Sequence, residues 1–310
     1  MNMDLYRECR LCPRDCGVNR VEGKRGICRE TAVCRISSAG PHFGEEPSFT
    51  GTRGSGAIFF TGCSSRCFFC QNVQISIENL GEPVTPEQLV AAARRLIKAG
   101  VHNLNFVTPD HFWPHIEHLC AELRREGISI PTVFNSSGYQ RPDMVEKYAE
   151  FMDLFMPDFK FAQPALAGAC MGDERYPEIA LESLRKMLEL KGFLEPWDPS
   201  GAHPAQRGVL VRHLILPGHV ENTLAVLRLL RKEFGKLLPL SVMSQFHPMP
   251  LCFERGQLAR RISADEHRRV YDLVIELEFQ HVYIQNLAHD IEFLPDFSDP
   301  EPFKGNLRRR

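Results

Sequence analysis

The chain has 310 residues, 43% of them apolar and 25% charged, the profile of a protein with a sizeable core, built as one large α/β domain or two ordinary ones. A formal net charge of −2 supplies no broad field for nucleic acid, and no run of 18 apolar residues exists to cross a membrane. Residues 1–10 are polar and lack the apolar stretch of a secretory leader, and eleven cysteines, an odd number in a long chain, read as metal ligands in a reducing cytoplasm rather than a disulfide framework.

Residues 1–50 read as a cysteine-rich head. Cys9, Cys12, Cys16 and Cys28 stand at C-x2-C-x3-C-x11-C spacing, with Pro13, Gly17, Gly23 and Gly26 between them for tight wrapping. Four sulfurs in two knuckles suit a tetrahedral structural zinc, and the same four suit a second iron–sulfur cluster; plain thiols are the third reading. Cys34 is spare and is a substitute for any of the four. Gly51-Thr52-Arg53-Gly54-Ser55-Gly56 leads into a buried strand at Ala57–Phe60, which Thr61-Gly62 breaks into a loop. On that loop Cys63, Cys67 and Cys70 stand at C-x3-C-x2-C spacing, with Phe69 before the last. Three thiolates on one tight loop each take one iron of a four-iron cluster and leave the fourth iron open to a small molecule. A zinc knuckle would need four ligands, and no fourth Cys or His follows nearby.

Helices and strands then alternate. Thr85-Pro86-Glu87-Gln88 is a capping box that opens a helix ending at Gly100. Strands are expected at 101–107, 128–134, 153–156, 209–216 and 238–244, with helices after each, including 178–190 and 221–234. Ser263-Ala264-Asp265-Glu266 is a second capping box, and 281–285 is a last strand or an edge. Six strands, each followed by a helix, predict a parallel sheet with right-handed crossovers: a partial (β/α)6 TIM-like barrel spanning 51–297, after the head and before a tail at 298–310 whose Arg308-Arg309-Arg310 is a solvated end. Six units are too few to close a barrel, so a lateral mouth is expected, with the active residues at the carboxyl ends of the strands.

The polar residues that interrupt the apolar runs fall at those ends. They are Thr108-Pro109-Asp110-His111, Asn135-Ser136-Ser137, Asp158-Phe159-Lys160 and His247, with Arg212-His213 inside the fifth strand. Asn135 and Ser136 suit ribose hydroxyls, or equally a helix-capping turn. Asp158 and Lys160, two apart on a strand, face one side and pair with each other. Of Arg212 and His213 one points inward and the other outward, and Arg212 suits a carboxylate held in two parallel bonds. His247 suits a substrate wall, while Cys120, Cys170 and Cys252 read as buried thiols.

The loop at Cys63, Cys67, Phe69 and Cys70 resembles the signature of the radical S-adenosylmethionine (SAM) superfamily. The series C-x2-C-P-R-x-C, C-x3-C-x2-C, T-P-x-H, P-D-F-K, R-H-L-x-L-P-G and F-L-P-D-F (Phe293 to Phe297) is similar, over nearly the whole chain, to its pyruvate formate-lyase activating enzyme-like family. The resemblance implies a 4Fe–4S cluster on Cys63, Cys67 and Cys70, SAM on the open iron, and its reductive cleavage to a 5′-deoxyadenosyl radical that removes hydrogen from a substrate. It implies SAM contacts at Phe69, Thr108, Pro109, Asn135, Ser136, Arg212 and His213, with Thr108 and Pro109 acting through backbone carbonyls where relatives carry Gly-Gly-Glu. It implies catalytic roles for Asp158 and Lys160, beside which His247 is a catalytic candidate from its place at a strand end, and an electron donor such as flavodoxin or ferredoxin. The substrate is a glycyl residue of a partner enzyme, a peptide, or a small molecule; a non-catalytic iron–sulfur or zinc scaffold is the rival reading. The extra cysteines precede the barrel instead of following Cys70 as in many activating enzymes.

Overall fold

The computed structural model describes residues 1–287 and 294–303. Ten strands organise it: β1 Arg35–His42, β2 Ser55–Phe60, β3 Glu82–Pro83, β4 Leu104–Val107, β5 Thr132–Ser136, β6 Leu154–Pro157, β7 Gly208–Val209, β8 Val211–Leu214, β9 Leu240–Met243 and β10 Val282–Ile284. From β2 onward the ladders β2–β4–β5–β6–β7 and β8–β9–β10 are parallel. β1 lies antiparallel on β2, and β3 antiparallel on β1. The final stretch of the expected head, Arg35–His42, is thus a strand of the barrel sheet.

The predicted fifth strand arrives in two pieces because its backbone changes partner. Leu210 still donates its N–H to Phe155 on β6, whereas Val211 donates to Pro239 beside β9. A parallel bridge between Asp158 and Arg212 carries the ring across the break. The strand expected at 128–134 begins only at Thr132, since Pro131 has no N–H to give a ladder. Val282–Ile284 is both a strand and an edge: among the described residues β10 pairs with β9 alone, so no ladder closes the ring. The arrangement is the open α/β partial barrel that the alternation predicts.

Helices pack outside. Both capping boxes form as read: Thr85 and Gln88 exchange side-chain and backbone bonds ahead of Pro86–Lys98, and Ser263 and Glu266 do so ahead of Ala264–Glu276. Between helices and strands lies an aromatic layer in which Tyr148 stacks on Phe134 at 4.3 Å and Trp113 tilts against Tyr148 at 4.6 Å. Tyr6 and Leu11 of the head belong to this same core, and the Tyr6 hydroxyl meets His115 Nδ1 at 2.8 Å. No helix among the described residues is long and apolar enough to cross a membrane. Phe293 and Arg308–Arg310 lie outside the described residues, while Phe297 is buried against Phe59.

Candidate active site at the carboxyl ends of the strands

One cavity of about 520 Å³ opens where the parallel strands end, within the range of small-molecule sites. Cys63, Cys67 and Cys70 line one side of it. The loop that carries them is held from several directions. Gly62 adopts φ +75, and a Cβ there would stand 2.6 Å from the Cys28 carbonyl, so only glycine lets the head press this close. His111 Nε2 donates to the Thr61 carbonyl (2.6 Å), Ser64 Oγ donates to the buried Asp110 carboxylate (2.7 Å), and the Ser65 and Ser137 hydroxyls meet at 2.7 Å. Arg14 of the head donates to the Ser64 (2.9 Å) and Ser65 (3.2 Å) carbonyls. Asp110 and His111 were visible in the sequence as polar strand-end residues, but their grip on the loop was not.

Cys63, Cys67 and Cys70 are the cysteines among the described residues that line the cavity. Among the described residues no three His, Cys, Asp or Glu side chains meet at single-ion distance. A four-iron cluster holds each thiolate on a different iron, so its ligands stand apart, whereas a zinc ion needs four that converge. Three cysteines on one loop match in number the three thiolates that a four-iron cluster with one open iron takes, whereas a structural zinc takes four ligands. The Ser65 N–H lies 3.4 Å from Cys63 Sγ, a bond of the kind that tunes cluster sulfurs.

Around the cavity the strand ends supply Thr108, Asn135, Ser136, Asp158, Lys160 and Arg212, as the sequence predicts. Thr108 has φ +57, a left-handed conformation that a β-branched residue rarely adopts, while its N–H donates to the Asn135 carbonyl (2.9 Å). Ser136 Oγ donates to Gln140 (2.9 Å). Lys160 and Asp158 form an ion pair; burial by itself would lower the Lys160 ammonium, but the Asp158 carboxylate outweighs it and raises it. Phe69 packs edge-on against Phe68 and Phe161 at the cavity wall.

Three expected residues are placed elsewhere. His213 points into the core, donating from Nδ1 to the Phe159 carbonyl (2.6 Å) and accepting at Nε2 from the Thr223 hydroxyl (2.9 Å). Strand alternation sends it outward because Arg212 points inward. Burial lowers His213 to about 4, so it is neutral. His247 lies outside the cavity lining, its Nδ1 2.9 Å from Arg261 Nη2. Pro109 begins a short helical turn and does not line the cavity.

Arg212 is not free to take a carboxylate from a ligand. Its guanidinium pairs with Glu46 through Nε (2.9 Å) and with Glu45 through Nη2, all three side chains nearly buried. Glu45 also accepts from Asn105 (2.9 Å) and Asn135 (3.2 Å). The segment before Pro47 thus delivers two acids to the far wall of the cavity, one carboxylate more than Arg212 neutralises. Sequence reading missed Glu45 and Glu46: they lie in a loop with no motif, and only the fold brings them to β8.

The family model described as the radical SAM superfamily matches residues 57–230. The chain is 25% identical over 292 residues to the uncharacterized protein MJ0674 of Methanocaldococcus jannaschii, covering 90% of this chain and 78% of that one. It is 24% identical over 308 residues to MJ0808 of the same organism, covering 90% and 81%. Methylornithine synthase (PylB) superposes with a TM-score of 0.48 at 16% identity over 72% of this chain and 60% of that one. Streptococcus suis SuiB bound to S-adenosylmethionine superposes with a TM-score of 0.47 at 11% identity over 72% and 48%. The chain spans between about half and three fifths of the length of these two solved structures.

Proposed function

This chain belongs to the radical SAM superfamily, and we propose that it is an enzyme of that chemistry whose site is the cavity at Cys63, Cys67 and Cys70. The observation that carries the reading is that three thiols alone, on one clamped loop, face the strand-end residues Thr108, Asn135, Ser136 and Asp158 across a single cavity. A 4Fe–4S cluster bound there supplies one electron for the reductive cleavage of SAM to methionine and a 5′-deoxyadenosyl radical.

The rest is the work of the chain. Strained, left-handed Thr108 presents backbone at the cavity wall, and strain of this kind gathers at ligand clamps, which supports a contact with the SAM amino group. Asn135 and Ser136 offer polar groups for ribose hydroxyls. The Asp158–Lys160 pair stands beside Cys67, and its charge is held in place by the cavity's low dielectric. The surplus carboxylate of Glu45 and Glu46 suits a ligand with a cationic group, which SAM itself carries as sulfonium and ammonium. The apolar part of the lining, Phe59, Phe60 and Phe69, shields a reactive species from water on that side.

For the substrate, we infer a glycyl position of a partner enzyme, the reading supported by P-D-F-K: its Asp158 and Lys160 pair inside the cavity, as the resemblance to glycyl-radical activating enzymes implies. A small cationic molecule or peptide is the second reading, favoured by the acidic far wall. Anaerobic reconstitution with iron and sulfide, followed by reduction with SAM present, tests the core reading. It is expected to release 5′-deoxyadenosine in the wild type and none in a Cys63/Cys67/Cys70→Ala variant. Equal background in both would leave a scaffold. With candidate substrates carrying deuterated glycine, deuterium in the 5′-deoxyadenosine separates the two substrates.

A further inference from the structure

Given the cavity as the substrate site of the reaction proposed above, we propose that Phe303 is a specificity-determining residue for it. Seated by the loop 296–303 where the ring of strands is open, the Phe303 side chain limits the size of what reaches the cysteine loop.

The F-L-P-D-F stretch ends on Asp296 and Phe297, and from there the chain turns back on itself. Asp296 donates its N–H to the Pro302 carbonyl (3.0 Å) and accepts at Oδ1 from the Ser298 N–H (3.0 Å) and hydroxyl (2.6 Å). A short loop whose ends meet in this way is held by its own bonds, and such loops are frequently functional. The turn sets Phe297 and Phe303 edge to face, with ring centres 6.0 Å apart. Gln74, four residues beyond Cys70, fastens the loop to the barrel. Its Oε1 accepts from the Phe297 N–H (2.8 Å) and its Nε2 donates to Asp296 Oδ1 (3.1 Å). One amide thus clasps two consecutive residues, from the short helix Val73–Ser76 that follows the cysteine loop.

Phe297 is buried with Phe59, Ile75 and Val107, three residues that line the cavity. Phe303 reaches further and lines the cavity itself, its ring 4.3 Å from that of His42 and 5.4 Å from that of Phe59. His42 ends β1, and β3 pairs only with the Arg35–Ile36 end of that strand, so at His42 the lip of the sheet is β1. The other lip is β10, whose Tyr283 and Ile284 also line the cavity. Phe303 therefore stands at the gap that no ladder spans among the described residues, and of these it alone enters the lining from beyond Gln285. With its ring in place the cavity measures about 520 Å³, a volume for small molecules. A bulkier substrate entering through the gap meets an aromatic wall packed on His42 and Phe59.

The test uses the full chain without added iron, sulfide or SAM, so its outcome is independent of whether SAM is cleaved. The protein is treated with N-ethylmaleimide or with a polyethylene-glycol maleimide, and labelling of Cys63, Cys67 and Cys70 is followed by peptide mass. The wild type is expected to react with the small reagent and to lag with the large one. Phe303→Ala is expected to speed the large reagent several-fold, whereas Phe303→Leu, which keeps apolar bulk, is not. Gln74→Leu, which removes the clasp and leaves Phe303 in the chain, is expected to act like Phe303→Ala and gives the answer should that variant fail to fold. Cys16, half-buried in the head and outside the cavity lining, is the control, and its labelling is expected to stay constant throughout. Large-reagent labelling as fast in the wild type as in both opened variants overturns the proposal. So does a matching rise at Cys16 in both, which would mark a loosened fold instead of an opened wall.

Discussion

Arg212 faces two carboxylates in a nearly dry wall, so its removal leaves Glu45 and Glu46 repelling each other with nothing between them. Breaking a buried pair by deleting one partner costs about 3–5 kcal/mol. Arg212→Leu is therefore expected to lower the denaturant midpoint strongly, and Glu45→Gln with Glu46→Gln to restore much of the loss in the same background. If the added glutamines restore nothing, the triad is not the source of the effect. His213 makes a different prediction. Its folded value of about 4 lies below the ordinary 6.5, so the unfolded chain takes up a proton that the folded chain refuses. Its contribution is present above about pH 6.5 and is lost as pH falls to about 4, amounting to roughly 3 kcal/mol. His115, also lowered to about 4 by burial first and Arg20 second, acts in the same direction. Denaturation of a His213→Asn variant across that window is expected to show lower stability at neutral pH but a flatter slope; an unchanged slope would exclude His213 as a contributor.

Where strands end, close backbone approach matters more than any one side chain. Gly138 follows β5 at φ +72, and a Cβ on it would stand 1.9 Å from the Asp158 carbonyl at the end of β6. Those two ends carry Asn135, Ser136, Asp158 and Lys160 into one cavity, so their spacing is part of the site. Gly138→Ala is expected to cost about 1–3 kcal/mol from the backbone conformation alone. The clash should also push Asp158 outward. The paired readouts are thermal stability and SAM affinity, and a variant that loses neither would show that the two ends move independently. The split between β7 and β8 works at the same scale. By trading β6 for β9 after Leu210, the chain turns Arg212 toward the cavity and His213 toward Thr223.

Over the whole molecule the head acts as a brace on the cluster loop. Arg14 alone joins Ser64 and Ser65 to the Met171 and Gly172 carbonyls, and its guanidinium lies 5.3 Å from the centre of the Tyr139 ring. Arg14→Ala is expected to leave the barrel folded yet release iron to a chelator several-fold faster, followed by the fading of visible absorption; an unchanged rate would mean that the loop holds itself. The alternation of helices and strands, the two capping boxes, the inward turn of Asp158 and Lys160 and the three loop cysteines were all legible along the chain. Each depends on neighbours within a few residues, through hydrogen bonds of the helix end, the two-residue period of a strand, or thiol spacing on one loop. What the linear order does not hold is which distant charge meets which. Glu45 and Glu46 reach Arg212, His247 turns to Arg261, and Arg20 is sealed against Cys9 only because the barrel wraps round to bring them together. The local code determined the elements and the three-cysteine loop; burial inside the open ring of strands decided the charge balance of the walls, since a partner's identity is set by the dielectric and geometry of a space that exists only once the chain is folded.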